Sequence, residues 1–250
     1  MSLLVRTWNV FHGRTSPPSS ALHLEEMVRT VVEDGPDVVA FQEVPVWALD
    51  RLGAWSGMTV FPAVAMLPLG GPLARRLTER NPQRLRSLLT GQANALLLSS
   101  RLELVGRQRI IRLNPGSFRS AEGRARRLSL RERLDWAWNR RVCQAVNVRE
   151  RKRVIVVANL HATKDHSLAA AEADRLARLW PPEAPTILCG DFNARGHSLV
   201  GFSEPLDGID QILVRGLEFE RGPSRWPVEQ RRTEDGALLS DHAPVEAVVA

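Results

Sequence analysis

Short apolar runs recur along the whole chain, and each stops at polar or turn-forming residues. In order they are LLVRTWNV, DVVAFQEV, ANALLLSS, RVCQAVNV, RVIVVANLHAT, PTILCGDFN, IDQILV and APVEAVVA. Their length and punctuation predict the strands of a buried β-sheet. Between the runs the apolar spacing lengthens to that of a helix. SALHLEEMVRTVVEDG sets Leu22, Met27, Val28, Val31 and Val32 mostly on one face, with Ser20 as N-cap and Gly35 as stop. HSLAAAEADRLARLW does the same with Leu168, Leu176 and Leu179, and Pro181 and Pro182 end it.

The middle of the chain departs from this rhythm. Residues 68 to 90 and 106 to 141 are dense in arginine and their apolar spacing is less regular. PLARRLTERNPQRLRSLL reads as one or two basic amphipathic helices, and RARRLSLRERLDWAWNRR as another that carries Trp136 and Trp138. Such segments are either insertions that lean over a site or solvated surface helices. With no internal repeat, linker or low-complexity tail, the expectation is one domain over 1–250 with an Arg-rich, insertion-like region at about 68–141.

Composition adds bounds. Of 250 residues, 44% are hydrophobic and 25% charged, which suits a globular protein with a substantial core. The net charge of +6 is carried almost entirely by arginine, since Lys152 and Lys164 are the only lysines. That favours a polyanionic partner, but a genome-wide composition bias produces the same excess, so charge alone selects none. The first residues lack the pattern of a secretory signal, and no apolar run is long enough to span a membrane. Cys143 and Cys189 lie in separate runs without metal-binding or redox spacing and are expected to be buried free thiols. A cytoplasmic monomer is the expectation.

The chemistry sits where the apolar runs end. Asn9 closes TWN, Glu43 lies in FQEV, and Asn159 and His161 close the NLH run. In TILCGDFNAR, Gly190 marks a turn or a close approach, and Asp191 and Asn193 follow with Phe192 packed behind. Asp210 opens DQILV, and Asp241 and His242 precede the last run. Each has an ordinary reading: Asn and Asp cap turns, Glu43 before Pro45 suits a surface carboxylate, and a lone histidine is more often a satisfied core group. Carboxylates, amides and imidazoles at the ends of so many separate runs are harder to explain that way. Ends of neighbouring strands share one edge of a sheet, where these side chains can converge.

In this order TWNV, FQEV, NLHAT, GDFN and SDHAPV resemble the signature motifs of the endonuclease/exonuclease/phosphatase superfamily, from residue 7 to residue 245. The resemblance implies an α/β fold, a four-layered sandwich of two packed mixed β-sheets flanked by helices. It implies a Mg²⁺ or Mn²⁺ ion held by Glu43, with Asn9 beside it and Asp241 close by or through water. One ion is expected, with Asp191 and Asn193 the place for a second. Hard oxygen donors suit those metals, and no Cys or His cluster suggests structural zinc. By the same resemblance Asp191 orients and deprotonates the attacking water, and Asn193 holds the phosphate or that water. His242 contacts the scissile phosphate with Asp210 as its orienting carboxylate, and His161 donates to another phosphate oxygen. In-line attack then needs no covalent intermediate.

The chain departs from the family pattern at three points. Phe11 stands where many nucleases carry an acid, there is no tyrosine to contact the phosphate, and Gln211 follows Asp210 where an aromatic or histidine is common. The leading expectation is a nuclease acting on DNA or RNA, with Trp136 or Trp138 stacking on a base. The alternative within the fold is a phosphatase or phospholipase C-like hydrolase of a small-molecule or lipid phosphate. WSGMTVFPAVAMLPLGGPL, residues 55 to 73, would be its membrane-facing element if it is not core. The alternative from another class is a non-catalytic module that binds nucleic acid or protein.

Overall fold

A computed structural model describes residues 2–19, 21–69, 76 and 89–250. Six strands make the first sheet: Leu3–Asn9 (β1), Val38–Val44 (β3), Thr59–Met66 (β4), Gln92–Leu98 (β5), Phe219–Arg225 (β11) and Val245–Val249 (β13). Their spatial order is β11-β13-β1-β3-β5-β4, with β1 and β3 parallel and the other neighbours antiparallel. Five strands make the second: Glu103–Arg112 (β6), Val142–Glu150 (β7), Arg153–His161 (β8), Thr186–Asp191 (β9) and Asp210–Arg215 (β10). These run β10-β9-β8-β7-β6, and only β8 and β9 are parallel. A two-stranded ribbon pairs Thr15–Ser16 (β2) with Leu238–Leu239 (β12).

The period of two along each strand builds the layers. Val5, Val38, Leu96 and Val245 of the first sheet meet Val157, Ile187, Ile212 and Val214 of the second in an apolar core between the sheets. The alternate residues Trp8, Val39, Phe41 and Leu97 face outward onto helices Leu24–Val32 (α1) and Leu49–Ser56 (α2). On the far side Ala158, Leu160, Leu188 and Leu213 pack on His166–Ala177 (α5), which follows Gly116–Ala125 (α3) and Leu130–Trp138 (α4) in the chain. Helix, sheet, sheet, helix is thus the expected four-layered α/β sandwich. The buried amides of Gln42 and Asn159 join the sheets across the core at 2.8 Å, so Asn159 cross-links the layers.

Several sequence readings change on contact with this architecture. Residues 59–66 form an edge strand in which only Ala63 and Ala65 are buried, and Leu67 and Leu69 beyond it are exposed. The second Arg-rich stretch, residues 106 to 141, opens within the edge strand β6, whose charges hid its pattern because most of its residues are solvated. Helix α1 starts only at Leu24, with His23 in the N-cap position, and Ser20 lies outside the described residues. Leu179 falls past the end of α5 and is exposed, while Trp180 is buried in its place. Apart from Arg76 and Leu89, the basic helix read over residues 72–89 also lies outside the described residues.

Candidate active site

The topology gathers the strand ends. β1 and β3 are parallel, as are β8 and β9, so Asn9, Glu43, His161 and Asp191 all emerge at one edge. β10 runs antiparallel to β9 and begins at that edge, which sets Asp210 opposite Asp191 in register. The loop before β13 brings Ser240, Asp241 and His242 to the same place. It is held by Trp8 Nε1, which donates to the His242 carbonyl at 3.0 Å, and by the Ser240 hydroxyl, which donates to the Asn9 carbonyl at 2.7 Å. The Arg231 guanidinium donates to the His242 carbonyl at 3.2 Å from beneath.

Gly190 is what allows β9 to deliver Asp191. Its φ is +134°, and a Cβ there would overlap the Leu160 carbonyl of β8. Gly190→Ala should therefore push β8 from β9, costing about 3 kcal/mol or more and lowering the melting temperature by roughly 10 °C. A melting curve within 2–3 °C of wild type, on the order of one small substitution, would show that the strands are not in this close contact.

Asp191 lies at the centre and is almost fully buried. It accepts from the Asn9 amide at 3.0 Å and from the Asn193 backbone N–H at 3.0 Å. Burial, reinforced by the charge of Asp210, pushes its carboxyl up to about 7 against the opposing pull of His242 and Asn9. His242 Nδ1 meets both Asp210 oxygens at 2.9 and 3.0 Å. Burial opposes its charge, but the hydrogen bond and attraction of Asp210 prevail and raise the imidazole to about 9. Ligand atoms of Asp191, Asp210 and His242 lie within 4.8 Å of one another, close enough to hold a metal ion.

The other expected residues are placed as follows. Glu43 sits at a bulge, where the β3–β5 register slips between Phe41 and Val44, with φ +55°. Its carboxylate stands 3.8 Å from His161 Nε2 and 3.5 Å from His12 Nε2. Asn9 is committed to Asp191, and Asp241, 45% exposed, lies 3.9 Å from His242 Nε2. The expected metal trio of Asn9, Glu43 and Asp241 thus rims the site, whereas the compact cluster is Asp191, Asp210 and His242. Asn193, at φ +49°, turns its amide to the Ala162 carbonyl at 3.1 Å. Gln211 is used to tie down residues 206–208, which precede Asp210, through the Leu206 and Gly208 backbone.

His161 is buried with Gln92 Nε2 at 2.9 Å from its Nδ1 and Asp191 Oδ2 at 3.5 Å from its Nε2. Burial, then the nearby Arg141 cation, holds it well below the usual imidazole range. It is a neutral ring, and the Gln92 contact leaves the proton on Nε2, aimed at the site. His12, Gln92, Arg141 and Arg231 had escaped sequence reading. His12 alone offered a signal, being three residues beyond Asn9.

Behind this edge Glu172 of α5 is buried without belonging to the cluster. It accepts from Trp136 Nε1 at 2.7 Å and from the Thr163 N–H at 2.9 Å, bolting α4 to the loop after His161. Burial raises its carboxyl to about 7. An acid that binds its proton more tightly when folded loses stability as pH rises from its unfolded value to its folded one. The wild type should lose about 3 kcal/mol between roughly pH 4.5 and 7 from this group, and Glu172→Gln should flatten that part of a stability–pH curve. An unchanged slope would assign the loss elsewhere.

Comparison with known proteins adds three findings. The model of the Endonuclease/Exonuclease/phosphatase family matches residues 7–242. A search of the curated proteins by sequence found no match. Among solved structures, an endonuclease/exonuclease/phosphatase from Beutenbergia cavernae DSM 12333 superposes with a TM-score of 0.70 at 14% identity, over 99% of this chain and 71% of that one. One from Bacteroides vulgatus gives 0.68 at 16% identity, over 100% and 99%. D. rerio TDP2, humanized by 14 mutations, gives 0.63 at 14% identity, over 100% and 99%. At these identities the likeness speaks for the fold.

Proposed function

Because the chain belongs to the endonuclease/exonuclease/phosphatase family, we propose that it is a metal-dependent phosphoric ester hydrolase and that its substrate is a nucleic-acid phosphodiester. The observation that carries the reading is the pairing of Asp191, pushed up to about 7, with an Asp210-bound His242 raised to about 9. Two groups whose environments tune one as a base near neutrality and the other as a persistent cation are the parts that water attack on phosphorus needs. Asp191 takes the proton of the water, held in place by Asn9 and Asn193. His242 donates to the phosphate oxygen where charge builds, and the neutral His161 donates from Nε2.

The donor set fits a hard divalent cation. Glu43 and Asp241 offer carboxylate oxygens at the rim, and Asn9 Oδ1, which accepts from the Phe11 N–H at 3.0 Å, keeps a second lone pair for a cation, while Cys143 and Cys189 are buried free thiols. When bound, Mg²⁺ or Mn²⁺ would offset phosphate charge and acidify water. Nucleic acid is favoured by the arginines of α3 and α4 and by Trp138, which ends α4 and is 72% exposed. A lipid or other apolar phosphate ester is the second reading. A cavity of about 270 Å³ lined by Met66, Leu67, Leu69, Ala137, Trp138 and Arg140 favours it.

The test is hydrolysis of plasmid DNA, single strands, an abasic-site duplex, RNA, sphingomyelin and inositol phosphates with Mg²⁺, Mn²⁺ or chelator. Metal-dependent turnover of one nucleic acid supports the reading, and turnover of a lipid alone selects the second. Turnover unaffected by chelator or by Glu43→Gln would remove the metal from the proposal.

A further inference from the structure

Helix α4 is amphipathic in the inverted sense. Leu130, Leu134 and Trp138 stand four residues apart, within about 80° of one another around the helix, and are 74%, 60% and 72% exposed. Trp136, roughly opposite them, is the residue that the core buries. The apolar side therefore faces water. A cavity of about 270 Å³ joins it to Met66, Leu67 and Leu69 at the end of β4, where Leu67 and Leu69 are exposed as well. Contiguous apolar surface of this kind marks a place of contact. Both parts of it lead to the catalytic edge: Met66 pairs with Gln92, whose amide lies 2.9 Å from His161, and Arg141, before β7, lies 2.9 Å from the same ring.

Charge selects the partner. Residues 106 to 141 hold eleven arginines against Glu122, Glu132 and Asp135, a surplus larger than the +6 of the whole chain. A composition bias would spread arginine evenly, whereas the rest of this chain is slightly acidic. Arg124, Arg126, Arg127, Arg131, Arg133 and Arg140 are all exposed. We propose that this face docks on an anionic lipid bilayer, with the leucines and Trp138 entering the acyl boundary while the arginines meet the headgroups. A leucine stripe that ends in tryptophan and is flanked by arginine suits that interface, because each long cationic side chain lays its stem on the apolar layer and its head on phosphate. Nucleic acid would use the arginines and leave the leucines in water. A second copy would set one surplus of positive charge against another. The docking goes beyond the hydrolase reading and holds whichever ester the site cleaves.

The test is flotation with vesicles of phosphatidylcholine, with or without phosphatidylglycerol, in chelator and without substrate, so its outcome is independent of the hydrolase reading. Wild type should bind the anionic vesicles at least about tenfold more tightly than the neutral ones. Leu130→Gln, Leu134→Gln and Trp138→Gln combined should weaken that binding about 100-fold or more. Arg131→Gln with Arg140→Gln should weaken it about 30-fold. Failure of wild type to bind anionic vesicles overturns the proposal, as does binding that the triple variant keeps. Affinity for single-stranded DNA should be equal in wild type and the triple variant, and a loss there as large as the loss on vesicles gives the face to nucleic acid instead. A wild-type dimer in sedimentation that the triple variant dissolves gives it to a second copy and likewise overturns the proposal. Should the triple variant not fold, Trp138→Gln alone serves, with about tenfold weaker vesicle binding expected and unchanged binding overturning the proposal.

Discussion

Asp191→Asn should reduce turnover by about 10³-fold or more while leaving the fold as stable as wild type, or more so, at pH 8 in chelator. Asparagine keeps the shape of the side chain and still accepts from the Asn193 N–H, but it cannot take a proton from water. Its amide faces the donor of Asn9, a mismatch worth about 1 kcal/mol. Against that stands a gain from the removed charge. The folded protein holds the Asp191 proton more tightly than the unfolded chain does, so this group's contribution falls as pH rises from its unfolded value to about 7. At pH 8 the wild type carries that whole burden and the variant carries none. Turnover within tenfold of wild type would remove Asp191 from the base role. Lost turnover with a melting temperature some 10 °C lower, roughly 3 kcal/mol at this size, would show a structural role instead.

Asp210→Asn should slide the whole pH optimum downward. His242 owes its value of about 9 chiefly to Asp210, and without that partner burial pulls the ring back toward its ordinary value against only the charges of Asp191 and Asp241. At pH 8 the fraction of imidazolium then falls from about nine-tenths to a few per cent, so activity there should drop about 30-fold and recover in part near pH 6. The acid limb moves as well, because Asp210's charge is one cause of the raised Asp191 carboxyl. Stability carries the same signature with its sign set by linkage. A histidine raised on folding contributes fully below its unfolded value and loses that contribution as pH climbs toward 9. The variant should lack that decline. Rate profiles of wild type, Asp210→Asn and His242→Ala decide it, the last having no alkaline limb to move. An unmoved alkaline limb in Asp210→Asn would break the assignment of His242.

The central strands were legible because both their faces are buried, which turns them into continuous apolar runs. The edge strands β6 and β11 were not, since ELVGRQRIIR and FERGPSR spend most positions in water. The site residues were legible for a related reason: a polar side chain at the end of a buried run stands out against its neighbours. Gln92 and Arg141 open their runs, and only the antiparallel pairing of β7 with β8 carries Arg141 to His161. Glu172 looked like an ordinary acid on an alanine-rich helix, and nothing local announces that Trp136, 36 residues earlier, will donate to it. The missed groups act through long-range pairing, which no window of sequence contains.

Seven described residues other than glycine have left-handed backbone, and five of them, Phe11, His12, Glu43, Asn193 and Ser240, lie in or beside the site. Each position is one where glycine fits the backbone better than the residue present. A selection for thermal tolerance alone would therefore drift toward Gly at Glu43 or Asn193, gaining heat resistance as it erased the chemistry. Engineers who stabilise this scaffold should freeze those five positions first. In a library screened only for survival on heating, glycine enrichment there would map the active site without any substrate being known.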